Sequence, residues 1–162
     1  MFGNPQAFAV QVDLEVESEI RDCRVFYWID GEPFGDPLQP VEVLSMVSQF
    51  VSIVKDGGRR FDDALDHLPD AEAFRLIDEH MHGDEPFEVV EMAARFNFVP
   101  HDLNFPGLAG YAVERDGLYR LLLGDREGRF ERTRYCPGVA LEDALFDAYM
   151  YLNSAVPMRH ED

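Results

Sequence analysis

Phe8-Ala9-Val10-Gln11-Val12-Asp13-Leu14-Glu15-Val16-Glu17 and, a few residues on, Arg24-Val25-Phe26-Tyr27-Trp28-Ile29-Asp30-Gly31 decide how the rest of this chain is read. In the first stretch Phe8, Val10, Val12, Leu14 and Val16 alternate with Ala9, Gln11, Asp13, Glu15 and Glu17. Successive side chains of a strand leave on opposite faces, so the pattern predicts one buried and one wet face. A polar break, Ser18-Glu19-Ile20-Arg21-Asp22, follows. The second stretch runs from Val25 to Ile29 without a polar residue, in the β-branched and aromatic types that pack on a pleated surface. Such a run predicts a strand covered on both faces, inside a sheet and not at its edge. Asp30-Gly31 supplies a tight-turn signal.

Downstream material reads as layers laid on this sheet. Glu32 to Gln39, punctuated by Pro33, Gly35 and Pro37, predicts a loop. From about Pro40, residues Val41, Leu44, Val47, Val51 and Val54 recur at helical spacing, widened by Val43 and Phe50, and Gly57-Gly58 marks the end. Phe61, Ala64, Leu65 and Leu68 make a short helical stripe that Pro69 breaks. Asp70 is then expected to cap a helix through Ala73, Phe74, Ile77 and Met81, stopped by Gly83. Pro86 opens another, with Phe87, Val90 and Ala94 as its inner face; a strand over Phe87 to Met92 is the lesser alternative. Asn97 to Gly110 reads as a loop pinned by Phe98 and Phe105. A three-strand meander follows: Tyr111–Arg115, the turn Asp116-Gly117, Leu118–Leu123, a second turn at Asp125–Gly128, then Arg129–Tyr135. A last helix from about Val139 to Ser154 lines up Leu141, Leu145, Ala148 and Leu152, before a frayed tail at His160-Glu161-Asp162. Strands bunched at the two ends of the chain, with helices between, predict an α+β fold with a mostly antiparallel sheet.

With 162 residues and 46% of them apolar, the chain can bury one good core and is expected to be a single domain, 1–162. It carries neither a secretory leader pattern nor an apolar run near the ~18 residues of a membrane span, which predicts a cytoplasmic protein. Cys23 and Cys136 are expected to stay reduced there. Against 32 Asp and Glu stand 14 Lys and Arg, a net charge of −18. Phosphates would be repelled, so neither nucleic acid nor an anionic membrane is an expected partner; a basic protein is.

Chemistry is hard to find. His80 and His82 are two apart, which a helix turns to different sides, and no His-x₃-His spacing occurs. His67 and His101 stand alone, neither cysteine lies in a CxxC, and the six serines and threonines include no GxSxG. No phosphate-binding glycine loop is present, and carboxylate pairs such as Asp62-Asp63 arise by chance in so acidic a chain. No catalytic, cofactor-binding or metal residues are therefore assigned, and no cofactor is expected.

The acids are not evenly spread. Asp62, Asp63, Asp66, Asp70, Glu72, Asp78, Glu79, Asp84, Glu85, Glu88 and Glu91 face a single base, Arg75, between Phe61 and Glu91. Like charge so concentrated costs stability through self-repulsion. Two readings follow: the wet faces of short helices, or a docking surface for a cationic partner, with these eleven as the candidate partner-binding residues.

Three segments resemble a known family. Phe2-Gly3-Asn4-Pro5 with Phe8-Ala9-Val10, then Phe26-Tyr27-Trp28-Ile29-Asp30-Gly31 with Gly35-Asp36, then Val43-Leu44 leading to Ile53-Val54-Lys55-Asp56-Gly57, are similar in order and spacing to the immunity protein 42 family of bacterial polymorphic-toxin systems. The likeness covers roughly the first third of the chain and stops near Arg60. It implies a small cytosolic protein that binds and blocks the toxin its own operon encodes, with no catalytic residues to carry over. The rival expectation is a small cytosolic enzyme or ligand-binding α+β domain, using the His80/His82 neighbourhood or a pocket under the Phe98–Phe105 loop. A blander third is an acidic mimic of nucleic acid.

Overall fold

A computed structural model describes residues 1–15 and 21–156; Val16 and Glu17 of the expected first strand, residues 18–20 of the polar break and the tail at 160–162 lie outside the described residues. Its first sheet has strands β1 (Phe2–Asn4), β2 (Phe8–Glu15), β3 (Asp22–Ile29) and β4 (Glu32–Phe34) side by side, with β5 (Val41–Glu42) on the start of β3, all antiparallel. Phe8 lies opposite Ile29 and Val12 opposite Val25, so the alternating residues of β2 meet those of β3 on one face. Phe8, Val10 and Val12 are buried there with Cys23, Val25, Tyr27 and Ile29. β3 does lie inside the sheet. Its second face is only partly covered: Phe26 and Trp28 lean on each other at 5.6 Å, and the half-buried Trp28 donates its indole N–H to Gln11.

Asp30 and Gly31 both sit at positive φ, 52° and 77°, as a type I′ hairpin turn requires. That turn makes Glu32–Phe34 a returning strand, not the expected loop. Pro33 is tolerated because β4 is short and pairs only with β3. Asp116 and Gly117 repeat the turn at 52° and 78° between β6 (Leu108–Arg115) and β7 (Leu118–Asp125), and β8 (Phe130–Pro137) completes the second sheet.

Helix α1 (Val43–Lys55) buries Val43, Met46, Val47, Phe50 and Ile53, while Leu44 and Val51 are exposed. The expected stripe was turned by about one residue. Val43, Val47 and Phe50 of that stripe are buried, and Val41 lies in β5. Met46 and Ile53 take the inner positions expected for Leu44 and Val51, because the apolar side of the helix is wide enough for either line to face the core. Helix α5 (Gly138–Ser154) buries Leu141, Leu145, Ala148 and Leu152 as read. α1, α5, the inner face of the first sheet and one face of the second share a core with Phe98 and Phe105, both fully buried under their loop.

The other face of the second sheet carries Ala109, Tyr111, Val113 and Leu122. Against it lie α2 (Asp63–Asp66), α3 (Asp70–His82) and α4 (Phe87–Ala94), contributing Leu65, Phe74, Ile77, Ala93 and Phe96 from the turn after α4. Pro69, not Asp70, occupies the cap position of α3. Phe87 is 74% exposed and not on the inner face of α4, whose buried residue is Ala93. Two cores thus sandwich the second sheet.

One buried charge ties the first core together. Arg60 has no exposed surface; it donates to the Ile53 carbonyl at the end of α1 and, at 2.6 Å, to Glu142 in the first turns of α5. Glu142 also accepts from the Tyr119 hydroxyl on β7. No helix among the described residues is long and apolar enough to cross a membrane.

Candidate functional site

The eleven acids divide by what they touch. Asp62 accepts from the Ala64 and Leu65 amides at the start of α2 and pairs with Arg95 at 3.3 Å. Asp66 pairs with Arg115 of β6 at 3.3 Å. Asp70 takes Arg120 of β7 at 3.0 Å and the Thr133 hydroxyl of β8 at 2.7 Å. Asp78 is buried and accepts from the Tyr111 hydroxyl at 2.7 Å. Burial first, and then that carboxylate, push the Tyr111 phenol well above its ordinary range. Asp66, Asp70 and Asp78 clasp the helical layer to the second sheet, and Asp62 ties α2 to the end of α4 within that layer. Asp63, Glu72, Glu79, Asp84, Glu85, Glu88 and Glu91 are exposed, Glu79 within 4.0 Å of the equally exposed Arg75.

Among those free acids opens a cleft between α2, α3 and α4. Ala64, Leu65, Leu76, Ile77, Val89, Met92, Ala93 and Phe96 form its walls, with Asp62, His80 and Arg95 as its polar members, around a volume of about 280 Å³. Arg95 donates to the Phe61 carbonyl and to Asp62 and lies 4.6 Å over the Phe96 ring, so two of the three polar groups are already engaged with each other. Met92, Phe87 and Phe61 are 57%, 74% and 50% exposed around this layer. The surface is carbon inside and carboxylate outside.

His80 borders the cleft, whereas His82 stands 3.8 Å from Asp78, so the pair diverges as its spacing predicts. Among the described residues no three His, Cys, Asp or Glu side chains converge as metal ligands would. Beside the Phe98–Phe105 loop lies an open groove holding His101, Asp102 and Arg126. Its polar groups serve the loop. Arg126 donates to the Leu108 and Pro100 carbonyls, Asp102 accepts from the Asn104 amide, and Asn104 in turn reaches Val25, Asp36 and Gln39. Burial raises the Asp102 carboxyl against the pull of Asn104 and Arg126, and lowers His101. Cys23 and Cys136 are buried thiols whose pKa values burial pushes up to about 12, far from nucleophilic thiolates.

The profile of the family described as immunity protein 42 matches residues 1–147. The chain belongs to that family. Among solved structures, this immunity protein 42 family member is similar to the crystal structure of CdiI from Burkholderia dolosa AUO158, with a TM-score of 0.70 at 17% identity over 93% of this chain and 98% of that one. At that identity the likeness is one of fold. No curated protein matches the chain. The α2–α4 cleft is a feature sequence reading missed, because its walls come from three helices whose apolar residues read only as core.

Proposed function

We propose that the chain is an immunity protein that neutralises a cognate toxin by covering it, with no reaction of its own. Membership of the immunity protein 42 family carries this reading, and the CdiI-like fold agrees with it. The toxin we infer acts in the cytoplasm, where its inhibitor waits, and presents a basic surface. Its counterpart is the exposed subset of the candidate acids, Asp63, Glu72, Glu79, Asp84, Glu85, Glu88 and Glu91, which project from a single helical layer. Asp62, Asp66, Asp70 and Asp78 stay within that layer's clasps and contribute to its field, not to direct contact. Like-signed charge works against nucleic acid and anionic membrane as partners and steers a cationic protein inward.

The test uses the toxin domain encoded by the adjacent gene, carrying an inactivating substitution. Asp63→Asn, Glu88→Gln and Glu91→Gln together are expected to slow association about ten-fold at low salt and to flatten its salt dependence. Wild-type protein is expected to protect cells that express the active toxin. An unchanged rate and salt slope would remove this layer from the encounter surface; unprotected cells would remove the function.

A further inference from the structure

We infer that the α2–α4 cleft is an anchor pocket for one apolar side chain of the toxin, borne on a segment with Arg or Lys on either side. This deepens the proposed function and rests on it. Three observations carry the assignment. About 280 Å³ falls below the roughly 300–1,000 Å³ of small-molecule sites, yet it is open to solvent-side chains of the size that dominate protein interfaces. A ligand site needs convergent polar groups to orient its guest, but Asp62 and Arg95 are spent on each other and on backbone groups, leaving His80 alone. Exposed acids adjoin cleft walls on α2 and α4, Asp63 beside Ala64, Glu88 beside Val89 and Glu91 beside Met92, with Arg75 beside Leu76 as the basic exception on α3.

Apolar centres ringed by charge are how interfaces divide labour. The centre, desolvated, sets how slowly the complex falls apart; the rim sets how fast it forms. The same charge decides between occupants. A second copy of this chain would bring its own carboxylates against these, whereas a basic segment meets its complement.

Two variants fill the cleft without changing charge, Ala64→Trp, at an exposed position of α2, and Val89→Trp on α4. Against the inactivated toxin domain of the adjacent gene, both are expected to dissociate on the order of 30-fold faster while association and its salt slope stay as in wild type. Val139→Asp, 71% exposed at the start of α5, serves as a distant control with unchanged kinetics. If either Trp variant loses its helical circular dichroism, Met92→Asp decides instead, since Met92 is 57% exposed and its change spares the core; the same acceleration is expected. Dissociation within two-fold of wild type in a folded variant overturns the anchor while leaving the immunity reading intact. Failure of the wild-type protein to bind the domain overturns both. A concentration-dependent dimer in sedimentation that Met92→Asp dissolves also overturns the anchor, by giving the cleft to a second copy.

Discussion

Glu142 and Arg60 are unequal partners, and their inequality sets what each substitution does. Arg60 is wholly buried, while the Glu142 side chain keeps 25% of its exposure. Removing the carboxylate strands a guanidinium in the core, so Glu142→Ala is expected to cost about 3–5 kcal/mol in urea unfolding. Arg60→Met leaves a carboxylate that water still reaches and is expected to cost less. The double variant Arg60→Met/Glu142→Leu should recover much of the loss, and a strictly additive result would refute the coupling. The thiols give a second residue-level expectation. Unfolded, Cys23 and Cys136 release their protons near 9.0; folded, they hold them to about 12. Folding therefore binds protons in that window, and stability is lost as pH rises through it, by up to ~1.4 kcal/mol per pH unit for each thiol. Tyr111 and Tyr119, raised by burial, push in the same direction. Urea midpoints measured from pH 8 to 11 check the slope; a flat profile would sink it.

Among the elements, the α2–α4 layer is held to the second sheet by guanidinium groups as well as by its buried apolar side chains. Arg120 of β7 donates to the Leu65 and Leu68 carbonyls and to Asp70, spanning the end of α2 and the start of α3. Arg120→Met is expected to loosen residues 62–82 by about 2–3 kcal/mol in native-state hydrogen exchange while β2 and β3 keep full protection. Equal loss in both regions would mean the layer and the first core unfold as one. What sequence revealed at this scale followed local chemistry. Asp30-Gly31 and Asp116-Gly117 were legible because few other dipeptides accept two positive φ values in succession, and α5 because its apolar residues fall on one line. The exact face of α1 was less so, since Met46 and Ile53 share with Leu44 and Val51 an apolar side about half the helix wide, opposite Ser45, Ser48 and Ser52. Nor were the roles of the acids: Asp62, Asp66, Asp70 and Asp78 look like their neighbours until Arg95, Arg115, Arg120 and Tyr111 arrive from distant strands and turns.

At the scale of the molecule, two electrostatic effects oppose each other. Eighteen uncompensated negative charges repel one another, whereas the clasps attract, and salt weakens both. Part-exposed ion pairs are worth about 0–1 kcal/mol each. Repulsion across the whole surface should therefore win, and thermal unfolding is expected at higher temperature in 0.5 M sodium chloride than in dilute buffer. A midpoint that falls with salt would show the clasps dominate. The helical layer touches the rest of the chain chiefly through the outer face of one sheet, and its side chains belong to a core of their own. Substitutions at its exposed acids share no partner with the β2–β3 hairpin or with Glu142, so their effects should add to changes there and not compound. On the proposed reading, the surface that meets the toxin is a veneer that could be rewritten while the chassis beneath it keeps its fold.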